Sequence, residues 1–231
     1  MVLSAAFWRE TASVYRQSHQ SEDTDSKAHS KEMLKFLATW WCAAYFLADV
    51  GVETAISGWV VSFMLRSRHA TPYLAGLSSS GFWAGMAVGR LVLGPLTDRI
   101  GVRKATALYF ALSVLIELLF AVLPYAIVSV VLMIVLGFLM GPLFPSGVIV
   151  VTQLLPKELH VAAVSFVASL GQVGGALLPF GIGAVVEGLG IGVFRYAVLV
   201  QSIVAMAIWI AFARLRATRS TTLNRGFAHE D

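Results

Sequence analysis

GMAVGRLVLGPLTDRIGVRK, residues 85–104, carries an apolar helix to the edge of a bilayer, turns the chain tightly and aims the next helix back inward. Gly81, Gly85 and Gly89 recur at every fourth residue, a spacing that lets a neighbouring helix approach closely. The charges in residues 98–104 mark where the chain meets water.

The rest of the chain agrees with a membrane reading. Hydrophobic residues make up 58% of its 231 positions and charged residues 13%, against about a quarter charged in a soluble domain. An integral membrane protein with the lipid bilayer as its first partner is expected. The net charge of +4 is spread between apolar segments, where it sets orientation, so no nucleic-acid partner is expected. Cys42 stands alone inside an apolar run, which excludes an intrachain disulfide and reads as packing.

Residues 1–33 mix Ser, Gln, Asp, Glu and Lys without a periodic apolar face, and read as a flexible cytosolic segment. Residues 2–8 are too short for a signal peptide and run into Arg9 and Glu10. Residues 34–213 then hold six segments able to cross about 30 Å of hydrocarbon: 34–65, 72–96, 105–123, 126–151, 161–186 and 193–213. Residues 214–231 form a basic tail. The first segment is longer than a straight span needs and contains Asp49, Gly51 and Glu53, which predicts a tilted or interrupted helix. Gly141, Pro142 and Pro145 predict a break in the fourth.

With Lys35 at the start of the first span, thirteen of the 17 Lys and Arg residues fall in the amino-terminal segment, the 97–104 loop, the loop at Lys157 and the tail, opposite Arg66, Arg68 and Arg195. The positive-inside rule then places both termini in the cytosol. The expected fold class is all-α and polytopic, with six transmembrane helices in two three-helix units of inverted topology.

Residues 85–104 resemble the signature of the major facilitator superfamily, which joins the second and third helices of a six-helix bundle. Gly94, Asp98, Arg99, Gly101, Arg103 and Lys104 match it, and Val102 stands where a basic residue is usual. Gly51-Val-Glu53 with Gly58-Trp59, Gly141-Pro142 with Pro145, and Gly171-Gln172-Val-Gly174-Gly175 with Pro179-Phe180 resemble the fungal branch of that family. The resemblance implies the carboxy-terminal half of a fungal permease, with residues 1–33 similar to the central loop between halves. It also implies that the hairpin is a cytosolic latch, made and broken as the bundles rock. Read from the charges alone, Asp98 before the third helix either pairs with Arg99, Arg103 or Arg90 or is an ordinary topology-setting charge.

Asp49 and Glu53 stand four residues apart on one helical face inside the first span, where an unpaired carboxylate is costly. The pair is a candidate for proton exchange during transport, or Glu53 is a structural residue bonded to a neighbouring helix. Arg90 is expected to snorkel to water or to pair with Asp98. Trp59, with Trp40, Trp41 and Trp83, lines a cavity or anchors an interface. Glu117 is expected to find a local hydrogen bond in the third helix. Gly81, Gly85, Gly89, Gly171 and Gly175 are the helix-packing positions, on the second and fifth helices, where they are also expected to support contact between two halves.

Enzymes fit poorly. An intramembrane serine protease needs a histidine on a facing helix, whereas His19, His29, His69, His160 and His229 fall in predicted loops or tails, scattered too widely for a metal site. No phosphate-binding glycine loop suggests a nucleotide, so no cofactor is expected. The threefold repeat of a mitochondrial carrier and a channel filter sequence are both missing. The expected function is secondary transport of a small-molecule substrate, exporting a metabolite or taking up a sugar-like solute, as half of a homodimer or beside a partner half. The plasma membrane is the expected location. The alternative is a non-transporting six-helix subunit or a truncated relic.

Overall fold

The structure, a computed structural model, describes residues 32–215; it is helical, without a strand among them. Seven helices make six passes: α1 (Leu37–Arg66), α2 (Pro72–Ile100), α3 (Val102–Val122), α4 (Ala126–Met140), α5 (Leu143–Leu154), α6 (His160–Leu189) and α7 (Phe194–Ala213). The helices α4 and α5 are two pieces of the fourth span, and short 3₁₀ turns at Lys157–Leu159 and Ile191–Val193 precede α6 and α7. Five of the six spans are long and apolar enough to cross a membrane; α2 has the length, but its serines and charged residues lower its hydropathy. The soluble segment expected at 1–33 and the tail at 214–231 lie outside the described residues, apart from Glu32, Met33, Arg214 and Leu215.

Two heavily packed pairs organise the bundle, α1 with α6 and α2 with α4. Exchanging the first three spans for the last three maps one pair onto the other, which is the relation expected of two three-helix units. Glycine makes both contacts close. An added Cβ at Gly85 or Gly89 would strike the backbone of Ile134 or Phe138 in α4, and one at Gly174 the carbonyl of Leu47 in α1. Gly81 meets Ile134, while Gly171 and Gly175 meet Val50. These glycines of the second and fifth spans therefore serve contacts within the bundle.

Of the two forms expected for the first span, tilted or interrupted, the interrupted one is not found. It is one uninterrupted helix of 30 residues, about 45 Å long. Close packing of Gly51 against Leu178 and Gly174 offsets the roughly 1 kcal/mol that a helical glycine costs, and the hydroxyl of Thr54 folds back onto the Val50 carbonyl at 2.7 Å.

The turn between α2 and α3 is a single residue. Gly101 has φ +92 and is at once the last cap of α2 and the first of α3: its N–H donates to Thr97 at 2.9 Å and its carbonyl accepts from Ala105 at 3.0 Å. A side chain would strain this backbone. Because α2 runs on to Ile100, Asp98 and Arg99 sit in its last turn and not in a loop.

At its other end α3 is capped by two cations, one from the α1–α2 loop and one from the first turn of α7, as favours a helix C-terminus. Arg68 donates to the Phe120 carbonyl at 2.6 Å and Arg195 to that of Ala121 at 3.0 Å. Burial, with the neighbouring Arg195 cation, holds the Arg68 guanidinium below its usual range.

Candidate functional site

The break in the fourth span follows from its prolines. In an unbroken helix the amides of residues 142 and 145 would serve the carbonyls of Phe138 and Gly141, and Pro142 and Pro145 have no amide hydrogen. Accordingly α4 ends at Met140, α5 begins at Leu143, and Gly141 and Pro142 lie between them. Pro145 falls in the first turn of α5, where amides lack intrahelical partners in any case.

Neighbouring spans hold the break. Arg90 Nε of α2 donates to the Gly141 carbonyl at 3.2 Å, and the Tyr45 hydroxyl of α1 donates to the Leu143 carbonyl at 2.8 Å. The Phe138 carbonyl lies against Gly89. A polar backbone group at membrane depth without such a partner is costly.

Arg90 also reaches the first span. Its Nη2 is 3.9 Å from Glu53 Oε1, an ion pair longer than a hydrogen bond, and 3.3 Å from the Met86 sulfur. The Glu53 side chain is 13% exposed and that of Arg90 49%. The pair thus lies where the packed bundle meets the open face of α2. Asp49, one helical turn before Glu53, is buried. The sequence offers Asp49, Glu53 and Arg90 as candidates for proton coupling or the cavity; the structure sets Arg90 beside Glu53 and Gly141 and not beside Asp98.

Trp59 belongs to a different part of the molecule. Its indole N–H donates to the Pro179 carbonyl at 3.0 Å, and its ring helps line a groove of about 690 Å³ with Arg66, Phe180 and Glu187, between the ends of α1 and α6.

The hairpin residues divide as well. Asp98 is exposed and pairs with no cation among the described residues. Arg103 instead donates to the carbonyls of Ala213 and Leu215 at 2.9 and 3.0 Å, capping the end of α7, while the Trp209 indole donates back to the Arg103 carbonyl at 3.3 Å. Nothing crowds Gly94. Glu117 finds its partner in α7, where Ser202 Oγ donates to its Oε1 at 2.7 Å.

Sequence reasoning missed the Gly141 and Leu143 carbonyls and Tyr45. For Gly141 the signal was available: a proline four residues after a carbonyl leaves that carbonyl for another donor.

The family model for the Major Facilitator Superfamily matches residues 41–229. The chain belongs to the Major Facilitator Superfamily. Among curated relatives, Bypass of stop codon protein 6 of Saccharomyces cerevisiae is 30% identical over 180 residues, covering 74% of this chain and 36% of that protein. A putative multidrug resistance protein, MdtD, of Salmonella typhi is 31% identical over 150 residues, 64% of this chain and 31% of its own. The glucose/mannose transporter GlcP of Bacillus subtilis is 28% identical over 135 residues, 58% of this chain and 32% of its own. The chain spans about a third of the length of the curated relatives it matches. Within the superfamily's fold, the Arg90, Glu53 and Gly141 contacts tie together the first, second and fourth spans of this chain's single six-span bundle.

Proposed function

We propose that this bundle is one half of a secondary transporter that moves a small molecule by alternating access. A second six-span unit, from another copy or a partner chain, completes the path, and Glu53 carries a proton through the cycle. The observation that carries this reading is the Glu53–Arg90 ion pair beside the broken fourth span. A carboxylate that shares its cation across two helices exchanges that partner for a proton, and one conformation then depends on its charge state.

The 94–104 hairpin acts as the cytosolic latch in this reading, through Asp98. Both termini lie in the cytosol, with residues 1–33 as a cytosolic segment similar to the central loop between halves, and the protein resides in the plasma membrane. The names of the relatives supply two substrate classes to try, glucose or mannose and drugs.

Proteoliposomes containing the chain, loaded under an imposed proton gradient, test the proposal with labelled glucose, labelled mannose and an amphipathic cationic dye. Gradient-driven flux of one class, lost in Glu53→Gln, is the expected result. Flux indifferent to the gradient removes proton coupling. No flux of any probe, from a chain that native mass spectrometry shows to be strictly monomeric, removes transport by a dimer and favours the non-transporting subunit.

A further inference from the structure

Arg90 is tied at two points by one rigid group. Its guanidinium offers five donors in a fixed planar fork, so the Nε that serves Gly141 and the Nη2 that faces Glu53 cannot move independently. One tether is a hydrogen bond to backbone at 3.2 Å; the other is an ion pair at 3.9 Å. The remaining contact, Met86 sulfur at 3.3 Å, is a weak acceptor. The Gly141 carbonyl, in turn, depends on Arg90 because Pro145 has no amide hydrogen to give it.

We propose that Arg90 is a positioning residue that transmits the charge of Glu53 to the break in the fourth span: with Glu53 ionised, Arg90 is held on Gly141, and with Glu53 protonated it swings toward water, freeing the Gly141 carbonyl so that α5 reorients against α4. This rests on the proton-carrying role of Glu53 and adds the element that responds to it. The half-exposed Arg90 side chain has water to turn to. The freed carbonyl must then find another donor at membrane depth, which sets α5 moving against α4.

The ionisable groups around Glu53 are few. On α1 they are Asp49, buried one turn away, and beyond it Tyr45 and Cys42. Arg90 is the one from α2. The helices α4 and α5 contain no Asp, Glu, Lys, Arg, His, Cys or Tyr, and α6 carries His160 and Glu187 only at its two ends. Tyr45 is committed to Leu143, so it anchors the far side of the same break.

The test uses the full chain in lipid nanodiscs, in a Cys42→Ala background, with Val131→Cys and Ile149→Cys carrying nitroxide labels on either side of the break. Both positions are exposed. Double electron–electron resonance should show the inter-label distance shifting between neutral and acid pH. Glu53→Gln should hold the acid distribution at every pH. Arg90→Lys, which keeps the charge but not the fork, should lose the shift as well. Asp98→Asn, remote from the break, should keep it. A wild-type distance that does not move with pH, or a Glu53→Gln chain that still shifts like wild type, overturns the proposal. The two ideas fail separately: if the distance shifts as expected while flux remains gradient-driven in Glu53→Gln, proton carriage by Glu53 falls and the link to the break stands.

Discussion

Arg90 Nε donates to the carbonyl of Gly141 at 3.2 Å, in the place that the amide of residue 145 would occupy if it were not proline. Pro145→Ala restores that amide and sets it in competition with Arg90. The expected outcome is a straighter fourth span and a smaller pH-dependent change across it. Hydrogen exchange followed residue by residue should find a newly protected amide at 145, and an amide that exchanges freely would refute the assignment.

The α2–α4 contact tolerates no side chain at Gly85 or Gly89. Gly89→Ala places a Cβ on the Phe138 carbonyl and Gly85→Ala places one on that of Ile134, backbone atoms that cannot step aside alone. Each should cost about 1–3 kcal/mol, the range of overpacking. Gly94→Ala, with open space around it, should be neutral or stabilise by up to about 1 kcal/mol through helix propensity. Thermal unfolding in detergent ranks the three, and equal losses would contradict the packing described.

Glu117 and Ser202 form a buried pair at 2.7 Å, and Glu117 Oε2 has no partner among the described residues. Ser202→Ala removes the one donor and should destabilise by about 1–3 kcal/mol, the cost of leaving a buried polar atom unserved. Adding Glu117→Leu to Ser202→Ala should recover part of that loss. A double-mutant cycle with strictly additive effects would show that the bond carries no coupling energy.

Within the hairpin the structure separates two charges that the sequence joins. Arg103→Gln removes a cation from two carbonyls at the end of α7 and should cost about 1.5–3 kcal/mol, as hydrogen bonds to charged groups do, with faster exchange in the last turn of α7. Asp98→Asn should leave stability within about 0.5 kcal/mol, because its side chain is exposed. Any loss of flux in Asp98→Asn is then a loss of latch function and not of folding.

Six spans, a tight turn within residues 85–104 and the break at Gly141-Pro142 were legible in the sequence because each depends on local chemistry. Apolar length sets a span, Gly101 alone accepts φ +92 without strain, and a proline removes its own amide wherever it stands. The partner of an ionisable side chain is not a local property. Arg90 lies eight residues from Asp98 along one helix and near the membrane edge, which pointed to water or Asp98, yet packing of α2 against α1 and α4 brings it to Glu53 and Gly141. Likewise the glycine stripe at 81, 85 and 89 announced a close approach, and only the assembled bundle decided that α4 makes it. Sequence determined where this chain crosses, turns and breaks; tertiary structure decided which charge meets which carbonyl, because those contacts join helices whose separation along the chain carries no record of their distance in space.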